Sequence, residues 1–250
     1  MKNAIPFFIF ALFCFQNVRA QGFTVGALGG INGYKSKPSE GLSGFYETGM
    51  AAYPRFGFQG GLRLGWEIGP RVSLVSDIAY VRKGTIWESD QLGDIDDING
   101  NTIEQAVLRV DGKYSAIHAP LLARVKVLGD RFGLTAMAGL SFNFHFKGKL
   151  NATAVNSNGT YAVGYATVRF GKRALDDFNN FDLSLVLAPG FIYSLDEDDL
   201  MRLTLDARFD IGTIGMFTEK QRRANDVNGN LFHRGTTLDL GFEYCLTCYR

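Results

Sequence analysis

Cysteine is scarce in this chain: there are 3 in 250 residues, and Cys14 lies in the first apolar run, so only Cys245 and Cys248 remain beyond it. That count excludes a disulfide-built scaffold, and a single C-x-x-C supplies half a zinc site. An excess of either charge is missing too, with 26 Lys and Arg against 25 Asp and Glu. Without Lys2 and Arg19 of the first 20 residues the balance becomes 24 to 25, which gives no electrostatic footprint for nucleic acid. Nor is there a long hydrophobic run after the N-terminus. The stretch from Ala4 to Phe15 is too short to cross a bilayer, where a helix needs about 20 residues. If the chain is integral to a membrane, it must therefore cross as a closed barrel, which alone satisfies every strand's backbone in lipid.

What is present begins with a leader. Lys2, the apolar run and the small-residue pattern Val18-Arg19-Ala20 predict a secretory signal over residues 1–20, with the mature chain, 21–250, as one barrel domain. Phe13 before Cys14 lacks the small side chain a lipoprotein anchor needs.

The clearest pattern is R-F-G-F-Q-G-G-L-R-L-G-W-E-I-G-P, Arg55 to Pro70. Phe56, Phe58, Leu62, Leu64, Trp66 and Ile68 alternate with Gly57, Gln59, Gly61, Arg63, Gly65 and Glu67. Period two means a strand with two chemically opposite faces. At about 3.3 Å per residue, roughly 12 residues reach some 40 Å, the length of a tilted strand through a bilayer. The Gly69-Pro70 pair ends it.

Seven further segments repeat the design: Phe23–Asn32, Val72–Arg82, Tyr114–Leu128, Phe132–Lys147, Phe181–Tyr193, Met201–Ile211 and Leu238–Tyr244. Within them Leu28 interrupts the alternation. The polar connections 33–54, 84–112, 148–180 and 212–234 read as long loops, although Tyr161 to Phe170 alternates weakly and extends the hairpin before it. Turns near Gly69, Gly129 and Asp196 are short. Short turns on one side and long loops on the other predict an all-β, eight-stranded antiparallel transmembrane barrel with short periplasmic turns and long extracellular loops.

Volume decides which face is inside. An eight-stranded bore only just accommodates side chains, so the Phe- and Leu-rich face must meet lipid and the Gly-, Ser- and charge-rich face must fill the bore. The expected interior network comprises Arg63, Glu67, Asp77, His118, Arg124, His145, Asp182, Asp206, Arg208 and Asp239. Lys83, Lys126, Lys147, Arg202, Asp210 and Glu243 belong to the same inward set, because buried charges must be paired. Trp66, Tyr80, Phe132, Phe144, Phe146, Phe191, Tyr193, Phe209 and Tyr244 suit the headgroup boundary at the ends of the lipid face.

Four stretches carry a family resemblance: V-G-A-L-G-G-I-N in the first segment, S-L-V-S-D-I-A-Y-V-R-K-G in the third, I-H-A-P-L-L-A-R-V-K-V in the fourth, and the Gly-punctuated fifth. The chain resembles the PorT-type family of Bacteroidetes-like outer membrane β-barrel proteins over its whole mature length. Leu28 stands where the family usually has Lys, and a Cys-bearing tail replaces an aromatic end. The resemblance implies an outer-membrane location. Its name-giving member works in protein secretion, a role that does not pass to relatives by default.

Chemistry is sparse. His118 and His145 fall on the polar face near Ser115 and Ser141, but no G-x-S-x-G elbow is present, and acyl chains would not reach an inward site. No catalytic residue, metal ligand or cofactor is therefore expected, and a lipid-modifying enzyme is the rival to a non-enzymatic barrel. His233 reads as a loop residue. Asp94, Asp96, Asp97 and Asn99 miss the EF-hand order, because Ile98 takes the fifth position and the glycine comes one residue late. The triplets at Asn151 and Asn158 fit the glycosylation sequon and arise readily by chance in a polar loop. Eight strands leave no porin-sized channel. Expected partners are outer-membrane lipids and proteins met through loops 84–112 and 148–180, with a secretion-machinery role as a further alternative.

Overall fold

The computed structural model describes residues 22–38, 50–89, 91–129, 131–171, 176–217 and 230–247. The expected leader lies outside them. Among the described residues ten strands follow one another: β1 (Gly22–Pro38), β2 (Met50–Glu67), β3 (Val72–Ser89), β4 (Gly93–Asp96), β5 (Thr102–Leu128), β6 (Phe132–Asn156), β7 (Gly159–Val168), β8 (Phe181–Ser194), β9 (Met201–Gly212) and β10 (Leu231–Cys245). Eight of them form a closed antiparallel ring in the order β1, β2, β3, β5, β6, β8, β9, β10, with β10 returning to pair with β1. Closure removes both sheet edges. The two remaining strands stand outside the ring, β4 on β5 and β7 on β6.

The short connections are built as the sequence demands. Ile68 and Gly69 both donate their amides to the Val72 carbonyl, at 3.0 and 3.1 Å. Gly129 takes φ +83°, a left-handed conformation that suits glycine between β5 and β6. Between β8 and β9 the Asp196 carboxylate accepts from the Leu200 and Met201 amides at 3.1 and 2.9 Å. The Met201 amide leads the bonds that hold this carboxyl below the usual aspartate range.

Outside, the ring is a band of apolar side chains. Phe58, Leu62, Ile78, Leu121, Leu140, Leu187, Phe209 and Leu240 are all exposed, and so are the nine boundary aromatics. Phe132 stacks on Phe191 with 5.5 Å between centroids. An apolar belt of this kind has no favourable place in water and matches a bilayer.

The structure corrects the sequence reading in three respects. First, two of the expected long loops, 84–112 and 148–180, are largely strand where described, and strands run into the ends of the other two: β1 continues to Pro38, β3 to Ser89, and β10 starts at Leu231. β5 and β6 run 27 and 25 residues and rise past the ring as a continuous hairpin. With β4 and β7 they form a projection over a small core of Ile103, Ala106 and Ala154. A hydrogen bond from the Ile98 amide to the Ala162 carbonyl, 2.8 Å, links the turn after β4 to β7. Beyond the lipid no face needs to be uniformly apolar, so the signal of period two fades although the strands do not end.

Second, Lys147 points outward and is exposed. Register shifts between Ser115↔Lys147 and Ala116↔His145, which leaves Phe146 as an extra residue. A bulge inserts one residue and so exchanges the faces of everything beyond it. Third, the inward face is not polar throughout. Its loop end is closed by Trp87, Tyr114, Val168, Phe178, Met216 and Leu231, with Phe170 and Phe217 packed against them.

The bore and its mouth

From the turn end upward, the interior is a stack of charged and then aromatic tiers. Arg202 is gripped from two sides: it donates to Glu67 and, from Nε and Nη2, to the Asp199 carboxylate at 2.9 and 2.8 Å. Arg124 meets Glu243 bidentately, at 3.0 and 2.5 Å. Arg63 occupies the centre. Its Nε and Nη2 donate to Asp77 at 2.8 and 3.3 Å, while Nη1 donates to Asp206 at 2.7 Å, Thr204 at 3.0 Å and Glu243 at 3.4 Å. Arg208 donates to the other side of Asp77 and faces Asp239 across 2.9 Å. Gln59 donates to Asp239 at 2.7 Å. Antiparallel pairing explains the neighbours: Arg63 lies opposite Asp77 on β3, and Arg202 opposite Glu243 on β10.

The expected network is thus divided in space. Arg63, Asp77, Arg124, Asp206, Arg208 and Asp239 share one ladder, together with Glu243. Glu67 bonds instead to Arg202, below it. His118, His145 and Asp182 are buried on the same inner face but, among the described residues, join no arginine.

Above the ladder comes a tier with one ammonium, Lys83, and one carboxylate, Asp210. Lys83 Nζ donates to Asn143 Oδ1 at 2.7 Å and lies 4.4 Å from the centre of the Tyr34 ring. The Tyr34 hydroxyl donates to Asp210. Tyr34 can lie flat here because its partner on β10 is Gly235, where a Cβ would come within 2.2 Å of the ring. His118 Nδ1 sits 2.8 Å from Asn143 Oδ1 and 3.0 Å from Ser141 Oγ. Since an amide oxygen only accepts, and here also accepts from Lys83, Nδ1 carries the proton. That nitrogen is then unable to take a proton from Ser141. Ser115, on the opposite face of β5, bonds to Tyr80 at 2.9 Å and is remote from this group.

The last tier brings together residues that sequence position keeps far apart. His145 on β6, Asp182 on β8 and His233 on β10 have donor atoms all within 4.8 Å of one another, and all three are buried. His233 is a strand residue, not the loop residue its polar surroundings suggest. Extending the inward odd series of β10 back from Thr237 through Gly235 reaches it, but glycine hides the face and the segment looks like loop. Both ring nitrogens of each histidine, and Asp182 Oδ1, lack a hydrogen-bond partner among the described residues. Ser184 Oγ offers Asp182 Oδ2 a long contact of 3.5 Å. The rings stack on each other at 5.3 Å, Phe170 stacks on His145 at 5.3 Å, and Tyr114 meets His233 edge-on at 6.1 Å. The apolar closure lies directly above.

Outside the membrane, the acidic segment of 94–97 is spent on its own turn. Asp97 accepts from the amides of Asn99 and Asn101 at 2.8 Å each, and Asp96 accepts from Thr102 at 2.8 Å. The Asn101 amide leads the bonds that lower the Asp97 pKa from its ordinary value. Cys245 is buried and disulfide-bonded. Cys248 lies outside the described residues.

Solved outer-membrane barrels resemble this chain in outline. Neisserial surface protein A is 14% identical, with 90% of this chain and 98% of that one covered and a TM-score of 0.43. OprG from Pseudomonas aeruginosa is also 14% identical, covering 91% and 97%, with a TM-score of 0.46. The outer membrane protease OmpT from Escherichia coli is 8% identical, covering 91% and 97%, with a TM-score of 0.41. Values this low bear on neither function nor site. No curated protein matches. The family model described as "Outer membrane protein beta-barrel domain" matches residues 16–217, most of the chain. With an apolar belt outside a closed ring and the charges gathered inside it, this protein resides in the outer membrane and belongs to the outer membrane protein beta-barrel domain family.

Proposed function

We propose that the protein is a closed, non-enzymatic barrel that presents its β5–β6 projection to a protein partner outside the cell. The observation that carries this reading is the continuity of β5 and β6 from the lipid belt into the projection. From Thr102 to Lys113 the strand covers about 40 Å beyond the charged tiers at 3.3 Å per residue, with no hinge loop on the way. The projection displays Leu92 and Ile98, both exposed. Loops and extensions on a rigid scaffold are where binding commonly resides. Two closures argue against solute passage: the arginine–carboxylate ladder across the bore and the aromatic cap at its mouth. Against catalysis stands His118, whose proton is on the nitrogen facing Ser141.

Replacing 90–108 and 152–164 by two-residue turns preserves the pairs Glu88↔Arg109 and Asn151↔Tyr165 and removes the tip. Crosslinking on intact cells should recover a partner with the full chain and lose it with the shortened one. Equal recovery from both would refute the reading. The resemblance to PorT-type proteins supports a narrower version, in which the partner belongs to a secretion machinery. Deleting the gene should then abolish export of secreted proteins while lipid A acyl chains stay unchanged, whereas altered acyl chains would favour an enzyme.

A further inference from the structure

We propose that His145, Asp182 and His233 form a binding site for one divalent transition-metal ion of the zinc type, enclosed beneath the aromatic cap of the barrel.

Donor chemistry selects the ion. Two imidazoles and one carboxylate suit zinc, iron, nickel or copper, whereas calcium and magnesium require shells made of oxygen. Geometry sets the scale. Three atoms no more than 4.8 Å apart share a centre within about 2.8 Å of each, and metal bonds of about 2.0–2.2 Å require every side chain to swing inward by roughly 0.7 Å. That is a side-chain adjustment and leaves the strands in place. Three protein ligands leave a coordination position open.

A second, independent observation is the unmet bonding capacity. Buried polar groups are normally satisfied, so an isolated orphan atom would need an explanation. Here five orphan atoms belong to the same three residues, Nδ1 and Nε2 of both histidines and Asp182 Oδ1, and one atom from each residue meets in the cluster. Each of the three residues is more than nine-tenths buried.

Charge points the same way. Among the described residues the buried cations are Arg63, Lys83, Arg124, Arg202 and Arg208, set against the buried carboxylates Asp77, Asp182, Asp206, Asp210, Asp239 and Glu243. The carboxylates outnumber the cations by one. Asp182 makes no ion pair among the described residues, and the Lys83 ammonium nearest this tier is bonded to Asn143. A buried carboxylate served only by a more distant ammonium that it shares with Asp210 is costly, and a bound metal ion would neutralise it. The Phe170, Phe178 and Tyr114 rings above would exclude water and slow escape of the ion.

Because the site is enclosed, loading belongs to folding. The tag-free full chain would be refolded in detergent with Co²⁺ or Zn²⁺, stripped of loose ion by gel filtration over a chelator, and assayed for metal by mass spectrometry. About one equivalent should remain, and the Co²⁺ form should show the visible bands of nitrogen–oxygen coordination. His145→Gln, His233→Gln and Asp182→Asn should each weaken retention by at least about 100-fold, more than the 10–100-fold typical of groups that only orient a ligand. His118→Gln, a buried histidine outside the cluster, should retain the ion. Heat-modifiable migration on gels verifies that each variant is folded. If a single variant fails to fold, the cobalt spectrum of the unaltered chain still decides. Retention below about 0.1 equivalent, unchanged retention in both folded histidine variants, or loss only with Asp97→Ala would overturn the site.

Discussion

Arg63→Met tests the bore most directly, because the arginine has four partners whose fates differ. Asp77 keeps Arg208, and Glu243 keeps Arg124. Asp206 has its ion pair with Arg63, and among the described residues no other ion pair holds it. It is 1% exposed, so water cannot take over. Removing one partner from a buried pair costs about 3–5 kcal/mol, mostly from the charge left behind. Replacing the stranded carboxylate as well should return about 2 kcal/mol, since a neutral amide costs less to bury than an unpaired charge. Urea unfolding of the protein in lipid vesicles measures both values. The expected order of stability is wild type, then Arg63→Met with Asp206→Asn, then Arg63→Met alone. A single variant within about 0.5 kcal/mol of wild type would refute the inward ladder. If the second substitution failed to restore stability, the orphan-charge account would be wrong even though the arginine mattered.

Leu121→Arg places a charge on the lipid face of β5 at a side chain 52% exposed, and should destabilise the vesicle-inserted barrel by about 2–4 kcal/mol. The same protein in urea-free detergent should still run as a folded species; an unchanged midpoint in vesicles would place this face elsewhere. For Asp97, the lowered carboxyl means its turn is stabilised above the ordinary aspartate pKa of about 3.9 and loses that contribution as pH falls through the lower folded value. NMR of the Asn99 and Asn101 amides should report a midpoint below the ordinary one, and a midpoint at or above it would contradict the bonding seen.

The belt was legible because lipid imposes one rule on every second residue. Where that rule held on both sides of the wall, as from Phe181 to Tyr193, the expected segment and β8 nearly coincide. It failed where lipid stops. Thr85 and Trp87 point into the structure from a stretch read as loop, because above the bilayer the inward side turns apolar while the outward side turns wet. Lys147 was misplaced for a different reason: alternation cannot count a bulge, and the shift at Phe146 shows only in the partner strand's register. The ladder residues could be gathered as one inward set, yet their pairing could not. Arg202 rather than Arg124 takes Glu67 because of strand stagger, which depends on turn lengths distributed around the whole ring. The His145–Asp182–His233 group needed three strands in register, and one of them was hidden behind Gly235.

A strand that belongs to both the wall and the projection also has a mechanical meaning. Force applied at the tip travels along the axes of β5 and β6, at right angles to the hydrogen bonds that join them to β3 and β8. Such bonds are loaded together in shear and cannot be peeled one by one. Extraction would have to slide apart 15 paired positions on one side and 13 on the other at once. An attachment made at the tip is thereby anchored in the membrane by the barrel itself, with no flexible link to yield first.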